Sequence, residues 1–452
     1  MTRTAGRWLA RLLYGVVAAS SQVGAQGEQP AEAAHVFTLP AGWRFVGTPV
    51  AIQKPVPGSD RPWPSDRFAA VVQGTPDSQA SEATAAAERV GVAAIRFDPD
   101  GAGRIAWTTW LGDAGTDVHI GGGRDVTGDG DVEVLACISP RQDYHFLDGK
   151  FLVLSASDGA IHGTTSVSTR GLMLGSGIAE VGEAGSGSTR FLITATDSAA
   201  PSKLIDFDIA SSVAQVVPLA VDGASMVLGV AWLGQQNGRA DALIALQTWD
   251  KEATSRVVAI DLGTHEQRTL YQGRRSAGMC RAVELGGQWT DDVMIAEVRE
   301  EVLPQECVWL ELRRVSSRTA KVLSTSTFQL NDKLGAGLMA SWVGASIDAW
   351  DDMDGDGTRD YVCSIAGTCP QDVWRLLLVS GATGALLGRI DDVMLARHLG
   401  PDGPRDIAPY FGVPLRMTPE STPAIGIGLG GDLNVGSSAV AVLDLTECLR
   451  AR

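Results

Sequence analysis

The sequence contains seven copies of one pattern, a short apolar segment that directly follows a turn. Successive copies are separated by about 51 to 68 residues. Repeats of this length are typical of architectures in which one supersecondary unit stacks on the next. The seven segments are Phe68–Val72, Val134–Ala136, Phe191–Ile193, Ala242–Ile244, Val293–Ile295, Tyr361–Cys363 and Ala424–Ile427.

A second apolar segment follows each of the first ones, and most of these lead through a Gly, Asp or Ser turn into one more short strand. The second set is Val92–Phe97, Phe151–Ser155, Leu204–Asp208, Val257–Asp261, Val308–Leu312, Leu376–Ser380 and Ala439–Asp444. With the strand before each turn, every unit has four strands. The pattern predicts an all-β fold, a seven-bladed β-propeller of four-stranded antiparallel blades.

Two packed β-sandwiches are the competing architecture, but they require a linker near the middle of the chain, and residues 200–250 contain none. The 53 glycines and the lack of helical periodicity also favour many short strands joined by tight turns. We therefore expect one domain over residues 35–452. Hardly a strand remains after Asp444, so His35–Leu39 is expected to complete the last blade.

One turn carries a dense group of carboxylates. In the nine residues from Asp352 to Asp360, the first, third, fifth and ninth positions are all Asp, and Gly357 allows the chain to turn sharply. Oxygen ligands at such spacing suit a hard cation, and Ca²⁺ is the expected ion. Strand-like flanks and Cys363 at the twelfth position argue against an EF-hand, which has two helices and a closing Glu. A solvated acidic hairpin without metal is the alternative, since Asp and Gly are common in turns.

This loop and its flanks resemble an FG-GAP repeat, the calcium-binding blade of integrin α-subunit propellers and of many secreted bacterial proteins. The resemblance rests on Val343–Ser346, the Asp loop, Tyr361–Gly367 and Arg375–Gly384. It implies a propeller in which each calcium loop joins the first two strands of a blade. The ligands that it implies are Asp352, Asp354, Asp356, the carbonyl of Thr358 and Asp360. Val343 replaces the family's Phe, and Ile365–Gly367 is a poor copy of Gly-Ala-Pro.

The second unit has a related loop at the same position. Its expected calcium ligands are Asp125, Thr127, Asp129, Asp131 and Glu133, although Thr127 offers only a neutral oxygen and Glu133 replaces the closing Asp. The third, fourth and fifth units keep the turn but have lost this set of carboxylates, so we expect them to bind no metal.

The N-terminus has the layout of a secretory signal peptide over residues 1–25: three arginines, a short apolar run and Val23-Gly24-Ala25. Residues 26–34 are a polar linker. The mature chain is then expected to be secreted, periplasmic or at the cell surface, without membrane insertion. Loss of three arginines takes the formal charge from −16 to about −19, which argues against nucleic acid as a partner.

Six cysteines in an exported chain permit disulfides. Pairing of Cys280 with Cys307 and of Cys363 with Cys369 is favoured, because each pair falls within one apparent repeat. Buried free thiols are the alternative.

No linear motif of a hydrolase, zinc protease or phosphate-binding enzyme is present, and the six histidines are scattered. Remote residues can still meet in a propeller, so an extracellular polysaccharide lyase or hydrolase is the second hypothesis. It requires two or more acids, or Arg or Lys with Tyr or His, to converge at the mouth of the central channel. The first hypothesis is an exported, non-catalytic, calcium-stabilised monomer that binds protein or carbohydrate at the cell surface. The tryptophans, among them Trp107, Trp110 and Trp350, fit inter-blade packing better than sugar stacking.

Two segments interrupt the repeats. Gly74–Glu88 is expected to be a mobile insertion or a short helix, and Asp391–Gly400 a short helix between blades.

Overall fold

A computed structural model of the chain describes most of residues 35–449. The described ranges are 35–47, 49–55, 62–76, 87–125, 132–139, 149–167, 173–181, 190–196, 202–211, 213–219, 225–236, 239–248, 254–273, 277–283, 289–301, 307–331, 344–350, 352–366, 375–390, 392–399, 408–418, 423–430, 437–445 and 449. The predicted signal peptide and linker lie outside these residues. Within the described ranges, no helix is both long and apolar enough to cross a membrane.

The described strands form antiparallel sheets, which we label A to G in chain order. Strand β1 (His35–Thr38) precedes them. Sheet A contains β2 (Arg44–Phe45), β3 (Val50–Pro55), β4 (Pro62–Gly74), β5 (Arg89–Phe97) and β6 (Gly103–Asp113). Sheet B contains β7 (Asp117–Arg124), β8 (Glu133–Ser139), β9 (Gly149–Ser155) and β10 (Ile161–Val167). Sheet C contains β11 (Met173–Val181), β12 (Arg190–Thr196), β13 (Lys203–Asp208) and β14 (Val213–Pro218).

The second half of the chain continues the same order. Sheet D contains β15 (Ser225–Gln236), β16 (Arg239–Thr248), β17 (Ser255–Asp261) and β18 (Gln267–Gly273). Sheet E contains β19 (Ala277–Val283), β20 (Trp289–Glu301), β21 (Cys307–Ser316) and β22 (Val322–Asn331). Sheet F contains β23 (Gly344–Ala349), β24 (Tyr361–Ala366), β25 (Arg375–Val379) and β26 (Leu386–Ile390). Helix α1 (Asp392–Leu399) follows, and sheet G contains β27 (Ala408–Leu415), β28 (Ala424–Gly430) and β29 (Ala439–Asp444).

The sheets are arranged in a ring. The first strands contact one another in sequence from β3 through β7, β11, β15 and β19 to β23, and β27 returns to contact β3 and β4. Between sheets F and G the contacts run through β25, and α1 packs on β27. Four-stranded antiparallel sheets in a closed ring define a β-propeller. The expected all-β propeller is therefore confirmed, as is the short helix between two of its sheets.

The ring is closed by the N-terminal strand. Strand β1 pairs antiparallel with β29, with His35 opposite Val442 and Thr38 opposite Ala439. It becomes the fourth strand of sheet G. The prediction that His35–Leu39 completes the last blade is confirmed.

Six of the sheets have four strands, as expected, but sheet A has five. In sheet A, two short strands take the place of a single first strand. Arg44 and Phe45 of β2 pair with Gln73 and Val72 of β4, and β3 pairs with an earlier part of β4. The apolar segments identified in the sequence are the second and third strands of their sheets. The expectation of uniformly four-stranded units is thus wrong for the first unit, because its inner strand is interrupted.

The hydrophobic core lies between adjacent sheets. In β5, Ala93 and Ile95 pack toward sheet G, while Val92 and Ala94 pack toward sheet B. A strand that is buried on both faces has no polar side, which explains its continuous apolar sequence.

One turn recurs between the third and fourth strands. In four sheets it spans six residues, in which the first N–H donates to the sixth carbonyl and the fifth N–H donates to the first carbonyl. The fifth residue has positive φ in each case. These residues are Gly159 (75°), His265 (61°), Ala320 (55°) and Gly384 (70°).

This repeated turn packs against the outer strand of the preceding sheet. A Cβ on Gly159 would lie 2.5 Å from Trp107 of β6, and one on Gly384 would lie 2.3 Å from the hydroxyl of Ser326 in β22. In sheet B the contact is reinforced by the indole N–H of Trp107, which donates to the carbonyl of Ala156 over 2.8 Å. The turn therefore links neighbouring sheets as well as neighbouring strands.

The register of sheet E overturns one predicted disulfide. Cys280 lies opposite Met294, and Cys307 lies opposite Glu301, seven residues further along β20 and on its other side. At ~3.3 Å per residue, the two cysteines are ~23 Å apart along the strand alone, whereas a disulfide requires Cα atoms within about 7 Å. Cys363 is buried in the core, and Cys369 lies outside the described residues.

Candidate metal site

The Asp loop joins β23 to β24, the first two strands of sheet F. Its two ends are held together by the N–H of Trp350, which donates to the carbonyl of Asp360 over 2.7 Å. The indole of Trp350 is buried in the core between sheets F and G. The loop is therefore a tight turn between two paired strands, as the sequence predicts.

Three of the four aspartates converge. Asp352, Asp354 and Asp356 each place one carboxylate oxygen so that all three lie within 4.8 Å of one another. Asp352 is half-buried, and the other two are exposed to solvent. Since carboxylate oxygens so close together repel one another, a cation between them would lower the electrostatic energy of the loop.

Backbone N–H groups fix these carboxylates in place. One oxygen of Asp352 accepts from Gly355 over 2.7 Å, and the other accepts from Gly357 over 2.9 Å. Asp356 accepts from Thr358 over 2.8 Å. The φ angles of Gly355 and Gly357 are 79° and 87°. Glycine at both positions allows the loop to wrap around the three side chains, because a Cβ would strain this conformation.

Asp360 has a different environment from the other three. It is fully buried, and its carboxylate accepts N–H groups from Met353 over 2.6 Å, from Asp354 over 3.3 Å and from Gly381 over 2.9 Å. Burial raises its pKa from 3.8 to about 6, and the charge of Asp354 adds to this, while the hydrogen bonds from Gly381 and Met353 oppose it. Asp360 thus connects the loop to the turn between β25 and β26.

The structure places the predicted ligands unevenly. It brings together Asp352, Asp354 and Asp356. Thr358 is half-buried in the same loop, and the oxygens of Asp360 are directed to backbone donors. A cluster of three carboxylates is the donor set that Ca²⁺ prefers, with backbone carbonyls and water available to complete six to eight ligands.

The second predicted loop lies between β7 and β8, at the same position in sheet B. Asp125 is half-buried and Glu133 is buried. Thr127, Asp129 and Asp131 lie outside the described residues. The calcium prediction for this loop stays a prediction.

In sheet E, an acid lies at the position that corresponds to Asp360. Asp292 lies opposite Ser316, which begins the repeated turn. Asp360 occupies the corresponding position in sheet F, one residue before β24. The carboxylate of Asp292 accepts from the guanidinium of Arg314 over 2.7 Å. An arginine thus neutralises the acid in this unit.

A second polar cluster, which sequence reasoning missed, lies between sheets D and E. Glu297 and Glu311 are opposite one another on β20 and β21, and both side chains are buried. Arg313 forms ion pairs with both, and the hydroxyl of Tyr271 on β18 donates to Glu297. The guanidinium of Arg313 also lies 5.1 Å from the centre of the Tyr271 ring. Glu311 and Arg313 are two residues apart on β21, but Glu297 and Tyr271 lie on other strands, so no local sequence motif marks the cluster.

Comparison with known proteins gives fold-level similarity only. No protein-family model matches the chain, and no curated protein sequence matches it. Sqt1 of Saccharomyces cerevisiae is 10% identical, with 92% of this chain and 99% of that chain covered and a TM-score of 0.44. AofleA of Arthrobotrys oligospora is 10% identical, with 82% and 92% covered and a TM-score of 0.42. The β-propeller domain of the Trilobed protease from Pyrococcus furiosus is 10% identical, with 69% and 79% covered and a TM-score of 0.37.

Proposed function

We propose that this chain is an exported, calcium-stabilised, seven-bladed β-propeller of FG-GAP-like repeats that binds protein or carbohydrate without catalysis. The observation that carries the proposal is the convergence of Asp352, Asp354 and Asp356 in a turn between the first two strands of a propeller sheet. Counting sheet A as one blade is supported by β2 and β3, which occupy successive parts of one edge of β4.

The role of the ion in this proposal is structural. It holds the loop between β23 and β24, and through Asp360 the loop is fixed to the turn of the same sheet. A ligand that binds only the folded state stabilises it by about 2.7 kcal/mol at a hundred times its dissociation constant. Extracellular calcium modules commonly bind in the ~10⁻⁴–10⁻³ M range, so millimolar calcium outside the cell would occupy such a site.

The calcium proposal is tested by thermal unfolding with and without chelator. We expect chelation to lower the melting temperature of the wild type and Asp356→Ala to remove most of the calcium dependence. Asp158→Ala is the matched control. The carboxylate of Asp158 also accepts a hydrogen bond two residues ahead, from the N–H of Ala160 over 2.9 Å, but it belongs to no acidic cluster among the described residues. A wild-type melting temperature that does not change when chelator is added would refute the proposal.

The binding role is tested separately, by a glycan array and by capture of partners from the native cell surface. Binding without product formation supports it.

The alternative, an extracellular polysaccharide lyase or hydrolase, would use the two acids, the arginine and the tyrosine that converge between sheets D and E, although Tyr271 lies on the outer strand β18 and not on a first strand that lines the ring. The glutamates are buried and paired with Arg313, so a substrate would have to displace these ion pairs. Release of unsaturated or reducing sugar ends from an acidic polysaccharide, abolished by Glu297→Gln, would support this enzyme.

A further inference from the structure

The outer edge of sheet E is long, exposed and uncharged. Strand β22 is the fourth strand of the sheet and has ten residues, Val322–Asn331, none of which is Asp, Glu, Lys, Arg or Pro. Val322 and Leu323 are 50% and 54% exposed, and Ser324, Thr325 and Thr327 are also exposed. Among the described residues, β22 pairs with β21 on one side only.

Such an edge is unusual because proteins normally prevent edge strands from pairing with another chain. They do so with short strands, charged residues, proline or bulges. The other outer strands of this propeller show these features. Strand β1 has four residues, β14 ends at Pro218, and arginines lie on β6, β18 and β26 at Arg104, Arg268 and Arg389. Strand β10 has no Asp, Glu, Lys or Arg, but it has only seven residues and its register shifts between Ile161 and Gly163.

The residue types on β22 also favour pairing. Strand β22 shifts register near both ends, at Leu323 and at Leu330. The run Ser324–Gln329 between these shifts pairs regularly with β21 and contains alternating Ser and Thr followed by Phe. High β-propensity, no charge and no proline are the properties of segments that pair with copies of themselves. Hydroxyl side chains opposite one another across a strand pair add hydrogen bonds.

We propose that β22 pairs antiparallel with β22 of a second copy of this chain across a two-fold axis, so that two propellers share one continuous sheet. A second copy fits this edge because a two-fold contact brings the same neutral strand to both sides. The chain has a net charge of −16, so two copies repel over most of their surface, and a neutral strand is where they can approach. The result is a dimer in place of the monomer expected from sequence.

The decisive variants introduce charge near the centre of the strand. Thr327 is exposed and close to the midpoint of β22, so in a two-fold pair its two copies lie near each other. Thr327→Lys and Thr327→Glu each place like charges across the axis. We expect each to weaken dimerisation about tenfold or more. An equimolar mixture of the two variants should restore it, because opposite charges then face each other.

Sedimentation velocity over a range of protein concentrations measures the association. Thr269→Lys, at an exposed position on the outer strand β18, is the control and should leave dimerisation unchanged. Circular dichroism checks that every variant is folded. A wild type that is monomeric at all concentrations would overturn the proposal, as would dimers that persist in both charged variants. A mixture of the two variants that fails to associate would also count against the antiparallel two-fold pair.

Discussion

The N–H of Gly381 donates to the carboxylate of Asp360 over 2.9 Å, across the two turns at one end of sheet F. A Cβ on Gly381 would lie 1.8 Å from the carbonyl oxygen of Arg359. The turn after β25 thus lies directly against the acidic loop, and only glycine fits at the contact. Because the same turn packs through Gly384 on Ser326 of sheet E, the acidic loop is also connected to the neighbouring sheet.

Gly381→Ala is expected to destabilise the fold by about 2–3 kcal/mol, because the new methyl group must displace the backbone at Arg359. Chemical denaturation measures the free energy of unfolding. Gly229→Ala is the matched control, since a Cβ there meets nothing within 4 Å. It should change the free energy of unfolding by less than about 0.5 kcal/mol. Equal effects of the two substitutions would contradict the close contact.

The pKa of Asp360 predicts a pH dependence of the metal-free protein. Burial raises this pKa from 3.8 to about 6, so between these values the folded state binds the proton more tightly than the unfolded state. Stability from this group is therefore greatest at low pH and falls as the pH rises from about 4 to about 6.

Metal-free protein denatured at a series of pH values gives the measurement. Asp360→Asn should remove this part of the pH dependence, although it also lowers stability at every pH because an amide cannot accept all three N–H groups. A wild-type stability that rises steadily through this pH range, with the same slope in the variant, would show that Asp360 does not titrate as expected.

The sequence revealed the second and third strands more clearly than the first. Second and third strands are buried on both faces, and their apolar runs are continuous. The first strands line the ring and approach one another closely: a Cβ on Gly121 would lie 2.5 Å from Ile178 of the next sheet. Small residues at such contacts carry no apolar periodicity, so the divided inner strand of sheet A could not be anticipated.

The candidate site was predictable where its residues are adjacent in sequence. The spacing of Asp352, Asp354 and Asp356 was enough to predict that they converge. The contact of Asp360 with Gly381 depends on a turn 21 residues away, and the ion pairs of Arg313 depend on the packing of sheet D against sheet E. The strand register excludes the predicted disulfide, since Cys280 and Cys307 share a repeat but lie on opposite sides of β20.

The repeated turn predicts two stabilising substitutions. His265 and Ala320 have φ of 61° and 55° at the position where the equivalent turns of sheets B and F have glycine. Left-handed backbone costs a non-glycine residue about 1 kcal/mol, and the greater flexibility of glycine in the unfolded chain offsets part of the gain. We expect His265→Gly and Ala320→Gly each to raise the free energy of unfolding by about 0.5 kcal/mol.

Chemical denaturation of both variants provides the test for the turn. Ala385→Gly, one position further along the turn of sheet F, is the control and should lower stability, because the φ of Ala385 is not positive. Destabilisation by all three glycines would mean that the turn conformation imposes no strain on His265 and Ala320.

Because β1 closes the ring, replacing Phe37 tests whether the contact between the last and first sheets stabilises the propeller. Phe37 pairs with Val440 of sheet G, and its ring meets the edge of Phe97 of sheet A at a centroid distance of 6.4 Å. One side chain thus joins the last sheet to the first. Phe37→Ala should lower the free energy of unfolding by about 2–3 kcal/mol, which is below the ~3–5 kcal/mol usual for a buried Phe because this ring is only half-buried. Val36→Ala, in the same strand but 46% exposed, should cost less than about 1 kcal/mol.

Hydrogen exchange tests where the ring opens. Since loss of β1 opens the ring between sheets G and A, exchange in Phe37→Ala should accelerate first in β29 and β6. A uniform acceleration over all sheets would contradict closure at this point.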